Sequence, residues 1–424
     1  MQLNTQFQKK TKQQGGGIAF TLLIAYFFFE YVRPQDSISS IIGYFKIPML
    51  LTVALLVVVL KADKQPLKDP RIVLIGLFIG FLALSVPFSA NNFVAFQVTK
   101  NMVLGYIAIC AMVVSLNTED VLKKFVDSWI VISAIVAIIV VINGGKGPGG
   151  FLGDENDAAL VMDMALPFPW YMSQRPGITK KRKFFYFGCC ILITFAMMTT
   201  ASRGGLVGFA AVIGVMLLLS AKPVKNIFTA LVFTVFMGGG AISLLPQDYV
   251  EDMKTISDTE GGTAGLRWLH WTTATIMFSE HPILGVGAGN YPWNSQNYLH
   301  RSSYFKEGAR DRSGRQTHSL YFTLIPETGL VGIIIFLSML KICYTQGQRI
   351  RRAGAKNSKD IASPFMKLAA TALLCAFVGY LGAGAFISVL YYPVFWHLVA
   401  LSTAFSLVFI NTQNSQTIHT RQWN

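Results

Sequence analysis

Residues 184–220 read FFYFGCCILITFAMMTTASRGGLVGFAAVIGVMLLLS, and one charged residue, Arg203, stands in the whole stretch. A helix crosses the hydrocarbon of a bilayer in about 20 residues. The stretch is therefore two consecutive membrane spans, 184–201 and 203–220, with a guanidinium at the turn between them. The rest of the chain repeats the pattern. Only 13% of its 424 residues are charged, 53% are hydrophobic, and the mean hydropathy is +0.48. Soluble domains carry about 25% charged residues, so this composition excludes a soluble enzyme, a coiled coil and a disordered chain. The five cysteines all lie inside apolar runs, without metal-site or disulfide spacing, and read as small core residues.

Apolar runs near 16–32, 41–60, 72–88, 101–116, 125–142, 157–173, 184–201, 203–220, 226–245, 318–344, 365–387 and 391–410 predict an all-α, polytopic transmembrane bundle of about twelve spans. The weakest is 157–173, which holds Asp163, Pro167 and Pro169; a polar, kinked span must face protein or a water-filled cavity. The run after Lys9, Lys10 and Lys12 lacks an A-x-A cleavage site and reads as a retained first span. With the N-terminus inside, 24 of the 36 basic residues fall in cytoplasmic segments, as the positive-inside rule requires. Both termini are then cytoplasmic. The net charge of +15 is a mark of topology, and no nucleic-acid partner is expected. Three parts follow: 1–245 with nine spans, a large outside loop at 246–317, and 318–424 with three spans and a short tail. No internal repeat relates the two halves, which weakens a transporter reading.

The outside loop predicts an amphipathic helix over 264–281, capped by Thr263 and ended by Pro282, with Trp268 and Trp271 fitting an interfacial belt. Arg267 sits in its first turn, where a cation is locally unfavourable. Arg203 repeats that oddity behind the capping Ser202. Two guanidiniums at two helix N-termini make sense if an anion binds between them, since both are good phosphate receptors. In GRQTHSLYFTLIPETGLVG, Thr317 is expected to cap the tenth span and His318 to open it, where a helix N-terminus keeps the imidazole neutral. Glu327, past Pro326, is an intramembrane carboxylate about half a turn away from His318 by helical phase. GVGAGNY at 285–291 has no strand–helix context and reads as a tight turn. GDENDAAL at 153–160 is explained as a helix start. FFFEYVRPQ at 27–35 ends the first span with Glu30 and Arg33, a candidate pair.

FLGDENDAA, ASRGG, GLRWLHW, HPILGVGAGNY and THSLYFTLIPETGLVG occur in this order between about 151 and 332. In these motifs, the span count and the late large loop, the chain resembles the O-antigen ligase/polymerase family of bacterial envelope glycan enzymes. The resemblance implies a multi-pass protein of the bacterial inner membrane with a periplasmic loop and a site facing the periplasm. It implies transfer of a glycan from undecaprenyl diphosphate to a glycan, lipid A–core or protein acceptor. The matching catalytic residues are Arg203, Arg267 and His318, the last as general base or diphosphate ligand. Arg33, Asn156, Trp271 and Glu327 are candidate substrate contacts. The first outside loop has no D-x-D pair, so no metal or other cofactor is expected, and the reaction would invert the anomeric centre. A lipid-glycan flippase, with the arginines as substrate-binding charges, is the rival from another class.

Overall fold

The computed structural model describes residues 17–37, 46–219, 263–306, 313–355, 358 and 360–421. Among them the chain is helical, and a single isolated bridge, Gly149 to Leu152, is the only extended pairing. In chain order the helices are α1 (Ile18–Tyr31), α2 (Ile47–Lys61), α3 (Pro70–Ser85), α4 (Asn92–Ser115), α5 (Glu119–Ile142), α6 (Glu155–Ala165), α7 (Pro167–Ser173), α8 (Lys180–Thr199), α9 (Arg203–Leu218), α10 (Thr263–Glu280), α11 (Tyr291–Ser295), α12 (Leu320–Arg352), α13 (Pro364–Gly384) and α14 (Pro393–Arg421). Among the described residues, seven segments are long and apolar enough to cross a membrane, and α1, α2 and α9 are shorter apolar helices. The chain is a multi-pass membrane protein. The expected sixth span is two helices, α6 and α7, joined at Leu166 and almost wholly buried. The expected ninth span, 226–245, lies outside the described residues, as do 246–262 and 307–312 of the long loop.

Small residues let the central helices touch. A Cβ on Gly205 of α9 would stand 2.4 Å from the Ala159 Cβ of α6. One on Gly208 would stand 2.5 Å from the Asp163 carboxyl and 2.8 Å from the Ala383 Cβ of α13. In a bilayer, such contacts supply the packing that the hydrophobic effect does not. Asp163 is fully buried in this seam, so the polar sixth span faces protein, as its composition demands.

α12 is interrupted. Pro326 cannot donate to the preceding turn, and Gly329 departs from helical geometry at φ 60°, ψ −162°. The freed backbone groups pair with the glycine-rich turn: Val286 and Gly287 donate to the carbonyls of Pro326 and Glu327, while Leu330 and Val331 donate to those of Pro282 and Ile283. Backbone exposed at membrane depth must find such partners. Gly285, Gly287 and Gly289 all have positive φ, which is what the tight-turn reading of GVGAGNY requires.

The starts of α2, α4, α6, α12 and α14 share one cavity wall at one end of the bundle, the start of α9 is bonded to that of α6, and α10 packs against α12. The opposite end carries the basic segments. There the Arg71 guanidinium is buried between Asp69 and the Ser402 and Ser406 hydroxyls, and Ser363 donates to Glu119.

Candidate functional site

Ser202 caps α9: its hydroxyl accepts from the Gly205 amide at 3.0 Å and donates to Oδ1 of Asn156 at 2.7 Å. The start of α9, with Arg203 as its first residue, is thereby tied to the start of α6. Ala201, just before the cap, is left-handed at φ 54°. Arg267, on α10, lies close enough to Arg203 for the two charges to oppose one another. Burial first, and then the Arg203 charge, hold its guanidinium below the usual arginine range. The group lies over the Phe386 ring, 5.4 Å from its centroid. Two guanidiniums held near one another make a region that favours an anion.

His318 does not open α12. Ser319 is the cap, accepting from the Phe322 amide, and the helix begins at Leu320. His318 stands outside it in the left-handed region at φ 50°, a conformation uncommon for a non-glycine residue. Its neighbour is what holds it. The Thr317 carbonyl accepts from the Trp271 indole at 3.0 Å. The Thr317 hydroxyl donates to the Ser319 carbonyl and meets the hydroxyls of Thr323 and Ser388. Burial, then the charges of Arg267 and Arg315, hold the imidazole below its usual pKa against an opposing pull from Asp154. The ring therefore stays neutral near neutral pH and can take a proton.

His318 also stands on the wall of a cavity of about 790 Å³. Asp154, Asp157, Gln316, Tyr391 and Tyr392 share that wall, with Glu30 and His397 also lining the cavity. Arg203 and Arg267 are not part of its lining. The imidazole thus shares a wall with acids and tyrosines and also feels the Arg267 charge.

The remaining predicted residues fall into three positions. Asn156 holds the α9 cap. Trp271 does not sit in an outer belt; it turns inward, stacking on Phe322 with ring centroids 4.9 Å apart, while Trp268 remains exposed. Arg33 is left-handed at φ 51° and pairs with Asp36 at 2.6 Å, where pairing with Glu30 had been a candidate; its guanidinium packs on Gly150. Glu327 is saturated: Oε1 accepts from the Tyr291 amide at 3.0 Å, and Oε2 from the Gly289 amide and the Tyr391 hydroxyl, both at 2.8 Å. It clamps the glycine turn to α12 and to the segment before α14. Asp154 caps α6 through the Asp157 amide, the helix-start role its motif suggested. Among the described residues, no group of three or more His, Cys, Asp or Glu side chains is placed to hold a metal ion.

Tyr391, Tyr392 and His397 were not singled out from sequence. Tyrosines before an apolar run have an ordinary interfacial reading. His397, inside the run 391–410, carried the stronger signal, because an ionisable residue at that depth is functional by default. It is 4% exposed, and its Nδ1 meets the Tyr31 hydroxyl at 2.9 Å.

Residues 188–337 match the family model described as O-Antigen ligase. That interval contains Arg203, Arg267, His318 and Glu327, and the resemblance carried by the motifs holds over it. The chain is also similar to an uncharacterized protein of Haemophilus influenzae, 25% identical over 178 residues. That similarity covers 38% of this chain and 43% of that protein, so less than half of the relative's length is matched.

Proposed function

Taking residues 188–337 as an O-antigen ligase segment, we propose that the protein is a metal-independent, inverting glycosyltransferase of the bacterial inner membrane. It moves a glycan from undecaprenyl diphosphate to an acceptor on the periplasmic side. The observation that carries this reading is the meeting of Arg203, Arg267 and His318, drawn from three separate stretches into one charge-coupled group. In the reaction, the acceptor hydroxyl oxygen bonds to the anomeric carbon as the bond from that carbon to the diphosphate oxygen breaks. The electron pair leaves on the diphosphate, where the fixed guanidiniums and the N-terminus of α9 stabilise it. The hydroxyl proton passes to neutral His318.

The test is reconstitution of the purified chain with a lipid-diphosphate glycan and candidate acceptors. Covalent transfer, read by mass spectrometry of the product, is the expected outcome. Movement of the lipid-linked glycan across the bilayer without transfer would replace the enzyme with a flippase.

A further inference from the structure

α1 and α5 both start at the end of the bundle away from His318 and run side by side. Phe27 of α1 meets the rings of Phe125 and Trp129 of α5, with centroids 5.1 and 6.2 Å away. On their outer side the two helices leave a groove of about 620 Å³. It shares no lining residue with the cavity beside His318. Val131 on its wall is 43% exposed, so the groove opens outward, towards lipid.

The lining changes along its length. Thr21, Asp127 and Ser128 stand at the end away from His318, and beyond them Ile24, Phe28 and Val131 make it hydrocarbon. From Asp127 to Ile135, the groove residues of α5 rise about 12 Å. That is most of the roughly 15 Å of hydrocarbon in one leaflet. An acyl chain fits such a slot with its headgroup at the polar end.

Cations surround that end. α8 packs against α5, and its Arg182 guanidinium reaches the Asp127 carboxylate, which also accepts from the Tyr186 hydroxyl at 2.6 Å. The Asp127 charge is thereby balanced. The other acids of α5, Glu119 and Asp120, pair with Lys123. Lys124 stands one turn before Ser128, on the same face of α5. Lys124, Lys180, Lys181 and Lys183 are exposed and form no ion pair among the described residues. The first turn of α8 holds no acid, and exposed Phe184 and Phe185 follow its cations directly. Those rings set the cations at the level of lipid headgroups. The positive-inside rule accounts for basic residues at this end; it does not account for a slot of matching polarity beside them.

We propose that the groove between α1 and α5 binds an anionic glycerophospholipid of that leaflet. Its acyl chain lies against Ile24, Phe28 and Val131, and its phosphate lies among Lys124, Arg182 and the lysines that begin α8. Clustered cations beside a membrane helix attract such headgroups. A zwitterionic lipid would fill the slot equally well but would bring its own cation into the basic cluster. A helix from a second copy would bring hydrocarbon to the polar end. The site is at the opposite end of the bundle from His318 and does not depend on the transfer chemistry.

The probe is phosphatidylglycerol with a photoreactive diazirine on its acyl chain, added to the full chain after delipidation in a neutral detergent. Labelling is expected on the peptides holding Ile24 and Val131. Unlabelled phosphatidylglycerol should compete, and phosphatidylcholine should compete far less well. Raising the salt concentration should narrow that difference, because exposed charges are screened. Lys124→Gln should weaken phosphatidylglycerol binding about fivefold, the scale of one cation near an anionic surface. Adding Lys181→Gln and Lys183→Gln should weaken it further. Ala25→Leu and, separately, Val131→Phe at an exposed position should each cut labelling about tenfold, the worth of roughly two methylene groups kept out of the slot. The melting temperature of Val131→Phe in lipid-free detergent should match that of wild type. Equal competition by phosphatidylcholine, or labelling indifferent to the lysine changes, overturns the proposal. Labelling that both filling variants leave in place also overturns it. A chain that runs as a dimer and takes up no lipid would give the groove to a second copy instead.

Discussion

The indole N–H of Trp271 donates to the carbonyl of Thr317 across 3.0 Å, tying α10 to the residue immediately before His318. The same ring stacks on Phe322, in the first turn of α12. One side chain therefore fixes both the backbone that presents the imidazole and the angle at which α10 carries Arg267. Trp271→Phe keeps the stacking and removes the bond. A net hydrogen bond is worth about 0.5–1.5 kcal/mol, so the transfer rate should fall roughly three- to tenfold with little change in melting temperature. Trp271→Ala removes both contacts and should lower both quantities. A Trp271→Phe enzyme as fast as wild type would show that the bond does not position His318.

Glu327 gives a different signature. Its oxygens accept from two backbone amides and the Tyr391 hydroxyl, so it holds a turn and is already occupied. Glu327→Gln would turn an NH₂ group towards at least one amide donor. Leaving a buried donor unmet costs about 1–3 kcal/mol, and the variant should melt several degrees lower. Tyr391→Phe removes one of the three donors and should cost less. A Glu327→Gln protein of unchanged melting temperature but abolished activity would instead make Glu327 a proton-transfer group.

Much of this arrangement was legible in the sequence because it depends on helix ends. Arg203 and Arg267 stood out as cations at N-termini, and Ser202 as a cap. The Asp154 cap was readable for the same reason. What escaped was set by contacts between residues far apart in the chain. His318 was expected inside a helix, but Ser319 takes the cap and the Thr317 hydroxyl network holds His318 outside. Simple helical phase could not place Glu327, since the break at Gly329 opens the helix to a turn some forty residues earlier. Tyr391, Tyr392 and His397 meet the cavity only through the packing of α14 against α1 and α4.

Orientation can be read by labelling. The five native cysteines are buried, so a cysteine placed at an exposed position reports its own side of the membrane. Lys180 begins α8 among the basic segments, and Arg315 precedes His318; both are exposed. A membrane-impermeant maleimide applied from outside should label Arg315→Cys and leave Lys180→Cys unmodified. The reverse pattern would put the site on the cytoplasmic face.

Activity of the purified enzyme should survive a chelator. Asp154 is engaged as a cap by the Asp157 amide, and the charge on the leaving diphosphate is met by guanidiniums. Complete loss in EDTA, restored by Mg²⁺ or Mn²⁺, would return the 154–157 acids to consideration as metal ligands.

The roles of Arg203, Arg267 and His318 separate by pH. If the guanidiniums stabilise diphosphate charge, Arg203→Ala or Arg267→Ala should each slow transfer by about 10²–10³, the scale of one preorganised stabiliser. Lysine should rescue only in part, lacking the planar fork. His318→Ala should cost about 10²–10⁴ and leave donor binding intact. The imidazole is held below its usual value by burial and by the Arg267 charge, and is pulled up by Asp154. A depressed pKa keeps the base neutral further into acid, so the acid limb of wild-type activity should lie below about 6.5, the unperturbed histidine value. Arg267→Met removes a repelling charge, and the limb of the residual activity should move to higher pH. Asp154→Asn removes an attracting one, and the limb should move lower. In His318→Ala the limb should vanish. A limb that Arg267→Met leaves in place, or that persists in His318→Ala, would mean another group titrates. Loss of donor binding in His318→Ala would make the imidazole a diphosphate ligand rather than the base.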